Sequence, residues 1–420
     1  MLPFRHAPPN PGRVWRSYKA VSKNNQQEYI VKHLGLVPRL IIAIAAGILI
    51  GTFLPPLVIR LFITFSALFS SFLKFIIPLL IVGFIVAGIA DLGKGAGKLL
   101  VLTTGIAYVS TIVAGTLAFV VAITVFPLFI SPVPLAETQA GGAALAPFFN
   151  VSIPPLLDVT QALIFAFTFG LCIAALRRLG KGSGDSMYGF FSDFSASINL
   201  VLRKVIIPFL PLYICGTFAN IAWSGQGLAV LDVFWRVFLV IIALHFIYLF
   251  AMFMLAGAVG RKNPFRLMRN QVPGYLTAVG TQSSAATIPV NLGCAEANGT
   301  SKGIRDFVIP LCANIHLCGS IITITSCVTA VLMMSRMDYS LGTFLPFLLA
   351  LGVAMVAAPG APGGAIMAAL PFLGMVGIPP EGVLASLLIA LYITQDSFGT
   401  AANVSGDNAI AVIVDGLHKR

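Results

Sequence analysis

The chain has 420 residues, 58% of them hydrophobic and only 10% charged, with a mean hydropathy of +0.96. A water-soluble domain carries about 25% charged residues, so this composition excludes one. The net charge of +12 would suit a nucleic-acid binder, but the basic residues are placed as a membrane topology signal instead. Runs longer than the ~20 residues that cross a bilayer recur along the chain. They do not alternate apolar with polar residues, as barrel strands would. The expected class is an all-α polytopic membrane protein whose partner is the lipid bilayer, with no nucleic acid.

Residues 1–38 form a basic arm, with seven Lys or Arg between Arg5 and Arg39 preceding the first apolar run. A cleavable leader would start nearer the terminus, so that run is expected to be retained. Spans are expected at 39–56, 60–90, 99–127, 158–176, 200–223 and 234–260, with 128–157 an outside loop and 177–198 a cytoplasmic connection. With the arm inside, Lys94, Lys98, Arg177, Arg178, Lys181, Arg261, Lys262, Arg266, Arg269, Lys302, Arg305, Lys419 and Arg420 fall on the same side. Arg60, Arg236 and Arg336 fall on the other. This positive-inside bias puts both termini in the cytoplasm, in a plasma membrane or bacterial inner membrane. The six cysteines form no close CxxC pair, so neither a disulfide framework nor a zinc site is expected.

Beyond Arg269 the simple pattern fails. Residues 270–297 contain "GTQSSAATIPVN" (280–291), and residues 345–378 contain "AAPGAPGGAIMAALP" (357–371). Both are long enough to enter the membrane, yet Gly, Pro and small polar residues interrupt them. Each is followed by an expected continuous span, 304–333 and then 382–415. With six crossings before the first hairpin, the two hairpin–helix units enter from opposite sides, which makes them an inverted repeat. Broken segments at matching positions are the sequence pointer to a transporter's substrate site. Non-helical backbone survives at that depth only where protein buries it or where it lines a watery cavity.

In "ALYITQDSFGTAANVSGDNAIAVIV" (390–414), Asp396, Thr400, Asn403 and Asp407 share one helical face. Two carboxylates at membrane depth need partners, such as a substrate ammonium and a sodium ion. The half-helix N-termini of hairpin tips carry free N–H groups that suit the carboxylate of an amino acid. In span 7, "NIHLCGSIITIT" (314–325), Gly319 is expected to loosen the helix. His316 is a candidate proton site, because an unperturbed imidazole titrates near neutral pH. The commoner arrangement is a neutral histidine hydrogen-bonded inside the bundle.

At these residues the chain resembles the dicarboxylate/amino acid:cation symporter family, which includes the glutamate transporters. The resemblance covers about residues 38–418 and is carried by "TQSSAATIPVN", "PGAPGGAIM" and "QDSFGTAANVSGD". It implies eight spans and two re-entrant hairpins in a homotrimer. In that arrangement a transport domain (261–420, with spans 3 and 6 joining it) slides like an elevator against a trimerisation scaffold built from residues 39–260. It also implies that Ser283 and Ser284 hold the substrate α-carboxylate and that Asp396 binds the ammonium. Ser320, Thr400 and Asn403 would be further contacts, Gly360, Ala361, Pro362 and Gly363 the gating tip, and Asn403 and Asp407 sodium ligands.

The departures narrow the function. Carriers of acidic substrates place an arginine where this chain has Gly399, and a buried substrate carboxylate without a partner is disfavoured. The family's Asn-Met-Asp-Gly-Thr motif is here His316-Leu317-Cys318-Gly319-Ser320. Cys318 and Tyr392 replace acidic residues of a second sodium site, of which Tyr108 and Thr111 keep other parts. "QDS" (395–397) and "PGGAIMAALP" look most like the bacterial sodium/serine-threonine symporter branch.

The expected function is sodium-coupled symport of small neutral amino acids (serine, threonine, alanine), with no cofactor besides the coupling ion. The alternative is a sodium- or proton-coupled symporter of C4-dicarboxylates or acidic amino acids, for which Arg236 or another cation would have to reach the pocket. A membrane hydrolase using Ser284, His316 and Asp396 would lack the GxSxG elbow. A channel and a receptor built on a transporter fold are further readings that the residues alone leave open.

Overall fold

The computed structural model describes residues 36–91, 97–130, 145–180, 182–225, 227–356, 358 and 363–419. Among these there is no strand, and the backbone runs from helix to helix. Where six spans were expected in the first half there are helices, α1 (Leu36–Phe53), α2 (Pro56–Asp91), α3 (Gly97–Val125), α4 (Val159–Arg178), the pair α5 (Asp185–Val201) and α6 (Ile207–Trp223), and α7 (Gly227–Gly260). The connection at 177–198 is mostly helix, because α5 runs through a π turn at Leu202–Ile206 into α6 as one stretch of 39 residues. Phe191 and Ile198 on α5 are buried, and this apolar stripe is what fixes the helix.

Five helices among the described residues are long and apolar enough to cross a bilayer, and one bent pair would make a sixth. Their outer faces carry large exposed apolar side chains. Val101, Val109, Val113 and Val120 do so on α3, and Trp235, Leu239, Phe246 and Phe250 on α7. Water would penalise such faces, whereas lipid accepts them.

The first hairpin is α8 (Pro264–Thr281) and α9 (Ser284–Ala297). It begins earlier than residue 270 because Asn263 caps it. The Asn263 Oδ1 accepts from Phe265 N (2.9 Å) and Arg266 N (3.2 Å), with Pro264 in the first turn. The second hairpin is α12 (Leu341–Val356) and α13 (Gly364–Ala369), the latter continued by a 3₁₀ segment, Leu370–Val376. Its tip residues Gly360, Ala361 and Pro362 lie outside the described residues, and Gly363 is described.

The helix after each hairpin was expected to be continuous, and neither is. Span 7 divides into α10 (Lys302–Ile315) and α11 (Cys318–Met334), with His316 and Leu317 outside helical geometry. The last span divides into α14 (Val383–Ile393) and α15 (Asp396–His418), bent by 58° at Thr394–Gln395. No Gly or Pro sits at either break. Thr394 Oγ1 and Gln395 Nε2 take up the carbonyl of Leu391 at the second (2.8 and 3.1 Å).

α1, α2, α4, α5 and α6 pack mainly on one another, and α3 and α7 pack on α10–α11 and α15. The apolar stretch of α10–α11 is wholly buried. α15 is far more polar, yet it is buried from Gly399 to Asp415. A polar helix therefore stands at the centre of an apolar molecule.

Candidate functional site

Residues on α15 meet four other elements in turn. α8 runs antiparallel to it: Gly416 lies against Val259 and Gly260, just before α8 begins, and Ala278 packs on Ala401 and Val404 further along. The tip Gln282–Ser284 follows within about one helical turn, at the level of Asp396–Thr400. Gln282 turns the chain with a positive φ of 53°, and Ser283 then caps α9, its Oγ accepting from Ala286 N at 3.3 Å. Ser284 is buried beside it.

Five carboxamides fasten this hairpin to α15. Gln271 donates to Asn291 Oδ1 (3.1 Å), and Asn291 donates to the carbonyl of Val404 (2.9 Å). Asn408 donates to Asn291 Oδ1 (3.2 Å), Asn298 to Asn408 Oδ1 (3.0 Å), and Asn270 to Asn298 Oδ1 (3.0 Å). Sequence reasoning missed this ladder, although Asn291 closes the quoted stretch and Asn408 adjoins Asp407. Amides interspersed among apolar residues carry no periodicity that marks them as paired.

Asp396 opens α15 and is 4% exposed. Its Oδ2 accepts from the backbone N–H of Gly363 at 2.7 Å, so the second hairpin tip reaches it. Its Oδ1 accepts from the phenol of Tyr392 at 2.9 Å. The Tyr392 hydroxyl also lies 3.2 Å from Ser320 Oγ, which receives Asn403 Nδ2 at 2.9 Å. Each carboxylate oxygen can accept more than one donor, so Asp396 keeps capacity for an ammonium group.

Asn403 explains the break in span 7. Its Oδ1 accepts from Gly319 N (2.8 Å) and Ser320 N (3.1 Å), which are first-turn donors of α11 with no partner inside their own helix. The side-chain oxygen expected to meet a sodium ion is therefore turned to two N–H groups. Gly319 does not loosen the helix. It lets α11 cross α15, since a Cβ there would run into the carbonyl of Gly399 and come within 2.6 Å of Ala402 Cβ.

Gly399 itself sits over Thr323, whose Oγ1 is 3.1 Å from His245 Nε2. Thr400 is buried on the same stripe with no hydrogen-bond partner among the described residues. The one buried Lys or Arg among the described residues is Arg177 on α4, held by the carbonyl of Ala90 (2.6 Å) and stacked on Tyr188. Arg236 is half exposed and pairs with Asp232 on its own helix (3.0 Å). Among the described residues no guanidinium is buried beside Gly399.

At the far end of the stripe, Asp407 is fully buried. Its Oδ1 lies 3.0 Å from His316 Nδ1, and its Oδ2 has no partner among the described residues. His316 Nε2 lies 2.9 Å from Ser110 Oγ on α3, and Tyr248 on α7 donates to the carbonyl of Ser110 at 2.6 Å. His316 therefore bridges α15 and α3. Of the residues expected on α3, Thr111 bonds its own helix at Ala107 O (2.8 Å) and Tyr108 bonds Leu349 O (3.1 Å). Ser110, which drew no notice in the sequence, is the one that meets the imidazole.

A buried carboxylate oxygen without a donor invites a cation. α10 ends beside it, at Ile315, and the last carbonyls of a helix have no partner within it. Oxygen donors of this kind fit a hard ion such as sodium, whereas the nearby thiols Cys312 and Cys318 do not.

Comparison with known proteins bears on this geometry. A family model described as the sodium:dicarboxylate symporter family matches residues 36–417. The chain is 28% identical over 397 residues to a serine/threonine transporter, SstT, of Acinetobacter baumannii (strain AYE), covering 91% of this chain and 96% of that one. It is 30% identical over 276 residues to excitatory amino acid transporter 3 of Oryctolagus cuniculus, covering 63% of this chain and 49% of that one. The Homo sapiens transporter of that name is 29% identical over the same shares.

Proposed function

The chain belongs to the sodium:dicarboxylate symporter family, and on that premise we propose that it carries small neutral amino acids together with sodium. It is a multi-pass membrane transporter and not an enzyme. Serine, threonine and alanine are the substrates that suit it. One observation carries this reading: Asp396 offers a buried carboxylate for an ammonium group, while among the described residues no buried cation stands beside Gly399.

In this reading the ammonium joins Tyr392 and the Gly363 N–H on Asp396. The α-carboxylate lies at the Ser283–Ser284 turn, where the start of α9 offers N–H groups. Thr400 and Ser320 contact the substrate. Its side chain points to Gly399 and Thr323, where a methyl or hydroxyl group fits and a carboxylate would lack a partner. The serine/threonine transporter similar over most of the chain supports the same class. The partial similarity to excitatory amino acid transporters supports the family, while the missing cation argues against their substrates.

Sodium enters at Asp407 Oδ2 and the carbonyl end of α10. Asn403 holds α11 in place beside that site and contributes to coupling through its cap. The second hairpin, latched to Asp396 through Gly363, serves as the gate, with Gly360, Ala361 and Pro362 completing its tip. α3, α7 and α8–α15 form the moving domain, and α1, α2 and α4–α6 form a scaffold on which three copies assemble. Both termini face the cytoplasm.

Counterflow in proteoliposomes with a panel of labelled amino acids and dicarboxylates tests the proposal. Serine, threonine and alanine should exchange in the presence of sodium. Strong exchange of succinate or glutamate, with none of serine, would overturn it.

A further inference from the structure

The imidazole of His316 has no part in holding the substrate in this reading, yet it is fully enclosed by the protein. It is 0% exposed and stands between two oxygens that belong to different helices, Asp407 Oδ1 at 3.0 Å and Ser110 Oγ at 2.9 Å. An ionised carboxylate only accepts, so Nδ1 carries the hydrogen toward Asp407, while Nε2 meets the Ser110 hydroxyl, which also lies 2.8 Å from the Tyr248 hydroxyl. Around this pair Tyr248 donates to the backbone carbonyl of Ser110, Met252 Sδ lies 3.3 Å from Ser110 Oγ, and the Cys318 thiol lies toward the carbonyl of Ala402 at 3.7 Å.

The backbone is shaped to admit this ring. His316 is in extended geometry at the break between α10 and α11, which frees its side chain to turn inward. Opposite it α15 has Gly406, where a Cβ would come within 2.6 Å of His316 Cε1 and 2.9 Å of Cys318 Sγ. Any larger residue at 406 would push the imidazole off Asp407.

A buried carboxylate must be met by donors or by cations, and the space between Asp407 and α3 would otherwise have to hold one or the other. We infer that His316 is a tethered substitute for a bound cation. Its side chain satisfies one oxygen of Asp407 and fills the room in which a further sodium ion would sit, leaving Oδ2 alone for coupling. This rests on the reading of the chain as a sodium-coupled carrier and fixes how many ions its last helix can hold. His316 is a positioning residue in this account, acting through Asp407.

The test is a count of bound ²²Na per chain, by equilibrium dialysis of purified protein in saturating serine. The wild type is compared with His316→Ala, Asp407→Asn and the double variant. Removing the ring leaves room for an ion with its water ligands, so His316→Ala should bind one more sodium ion than the wild type. That gain should vanish in the Asp407→Asn background, where the pair of variants should bind equally. Thermal unfolding in serine monitors folding, and His316→Ser replaces the alanine variant if the latter is not monodisperse. Equal counts for wild type and His316→Ala overturn the inference, as does a gain that persists without Asp407. A wild type that binds no sodium while still exchanging serine overturns the sodium-coupled reading instead.

Discussion

Replacing Asp396 by Asn changes one atom's chemistry and leaves the shape of the side chain intact. In the wild type the two oxygens accept from Tyr392 (2.9 Å) and from Gly363 N–H (2.7 Å). A carboxamide can satisfy only one of these donors with its oxygen, and its NH₂ group must face the other. Turned toward Tyr392, the NH₂ finds a hydroxyl that can also accept, so the ligand-free fold loses little. The substrate loses far more, because its ammonium is left buried without a counter-charge. Breaking a buried ion pair in this way costs about 3–5 kcal/mol, which corresponds to serine binding weakened by roughly 10²- to 4 × 10³-fold. Serine affinity by scintillation proximity on purified protein reads this directly, and sodium-driven uptake should fall to background. Thermal unfolding without serine should change little between variant and wild type. Serine affinity within threefold of the wild type would refute the assignment of Asp396 to the ammonium.

Three further substitutions separate the remaining roles. Gly399→Arg places its Cβ 3.5 Å from Thr323 Oγ1 without a clash; counterflow should show serine exchange reduced more than tenfold and aspartate exchange gained. Asp407→Asn removes the one buried carboxylate beside the α10 carbonyls, and uptake of serine should lose its dependence on a sodium gradient in proteoliposomes. Asn291→Ala removes partners of Gln271, Asn408 and Val404, which should cost about 1–3 kcal/mol for each donor or acceptor left unpaired. Amide hydrogen exchange should then accelerate in α8 and α9 before it does in α11.

The hairpins were legible because glycine, proline and small polar residues in an apolar context have few other uses at membrane depth. The carboxylates were legible for a similar reason, since an acidic residue inside a span must be partnered. The breaks at His316–Leu317 and Thr394–Gln395 were not, and the cause is physical. Neither contains a residue that cannot continue a helix, so local propensity would carry the helix through. The first break is stabilised from outside by Asn403, whose Oδ1 caps Gly319 and Ser320 from another span 83 and 84 residues later in the chain. A cap supplied by tertiary contact leaves no mark beside the break. Gly319 illustrates the converse: it reads as a point of weakness, and it serves as the point of closest approach between α11 and α15. The pairing of His316 with Ser110 and Asp407 was equally hidden, because it joins three helices whose register only packing determines.

The breaks also account for the charge balance of the site. α9, α11 and α15 begin at Ser284, Cys318 and Asp396; Tyr392 ties the starts of α11 and α15 together through Ser320 and Asp396, and the turn before α9 lies at the level of Asp396–Thr400. An α-helix N-terminus carries roughly half a positive charge. Three of them converging in an apolar molecule would repel a cation and leave unpaired N–H groups, unless each were answered. Ser283 answers the first with its Oγ, Asn403 the second with its Oδ1, and Asp396 the third with a full negative charge. A neutral amino acid adds one ammonium and one carboxylate to this arrangement. In the proposed function the ammonium has Asp396 and the carboxylate has the Ser283–Ser284 turn at the start of α9, so no charge is left over. A second carboxylate would have to draw on N–H groups already capped by Asn403, or on Arg177, which is committed to Ala90 and Tyr188 on the scaffold side. The proposed selectivity for a substrate without side-chain charge therefore rests on how the helix ends are capped, as much as on the glycine at 399.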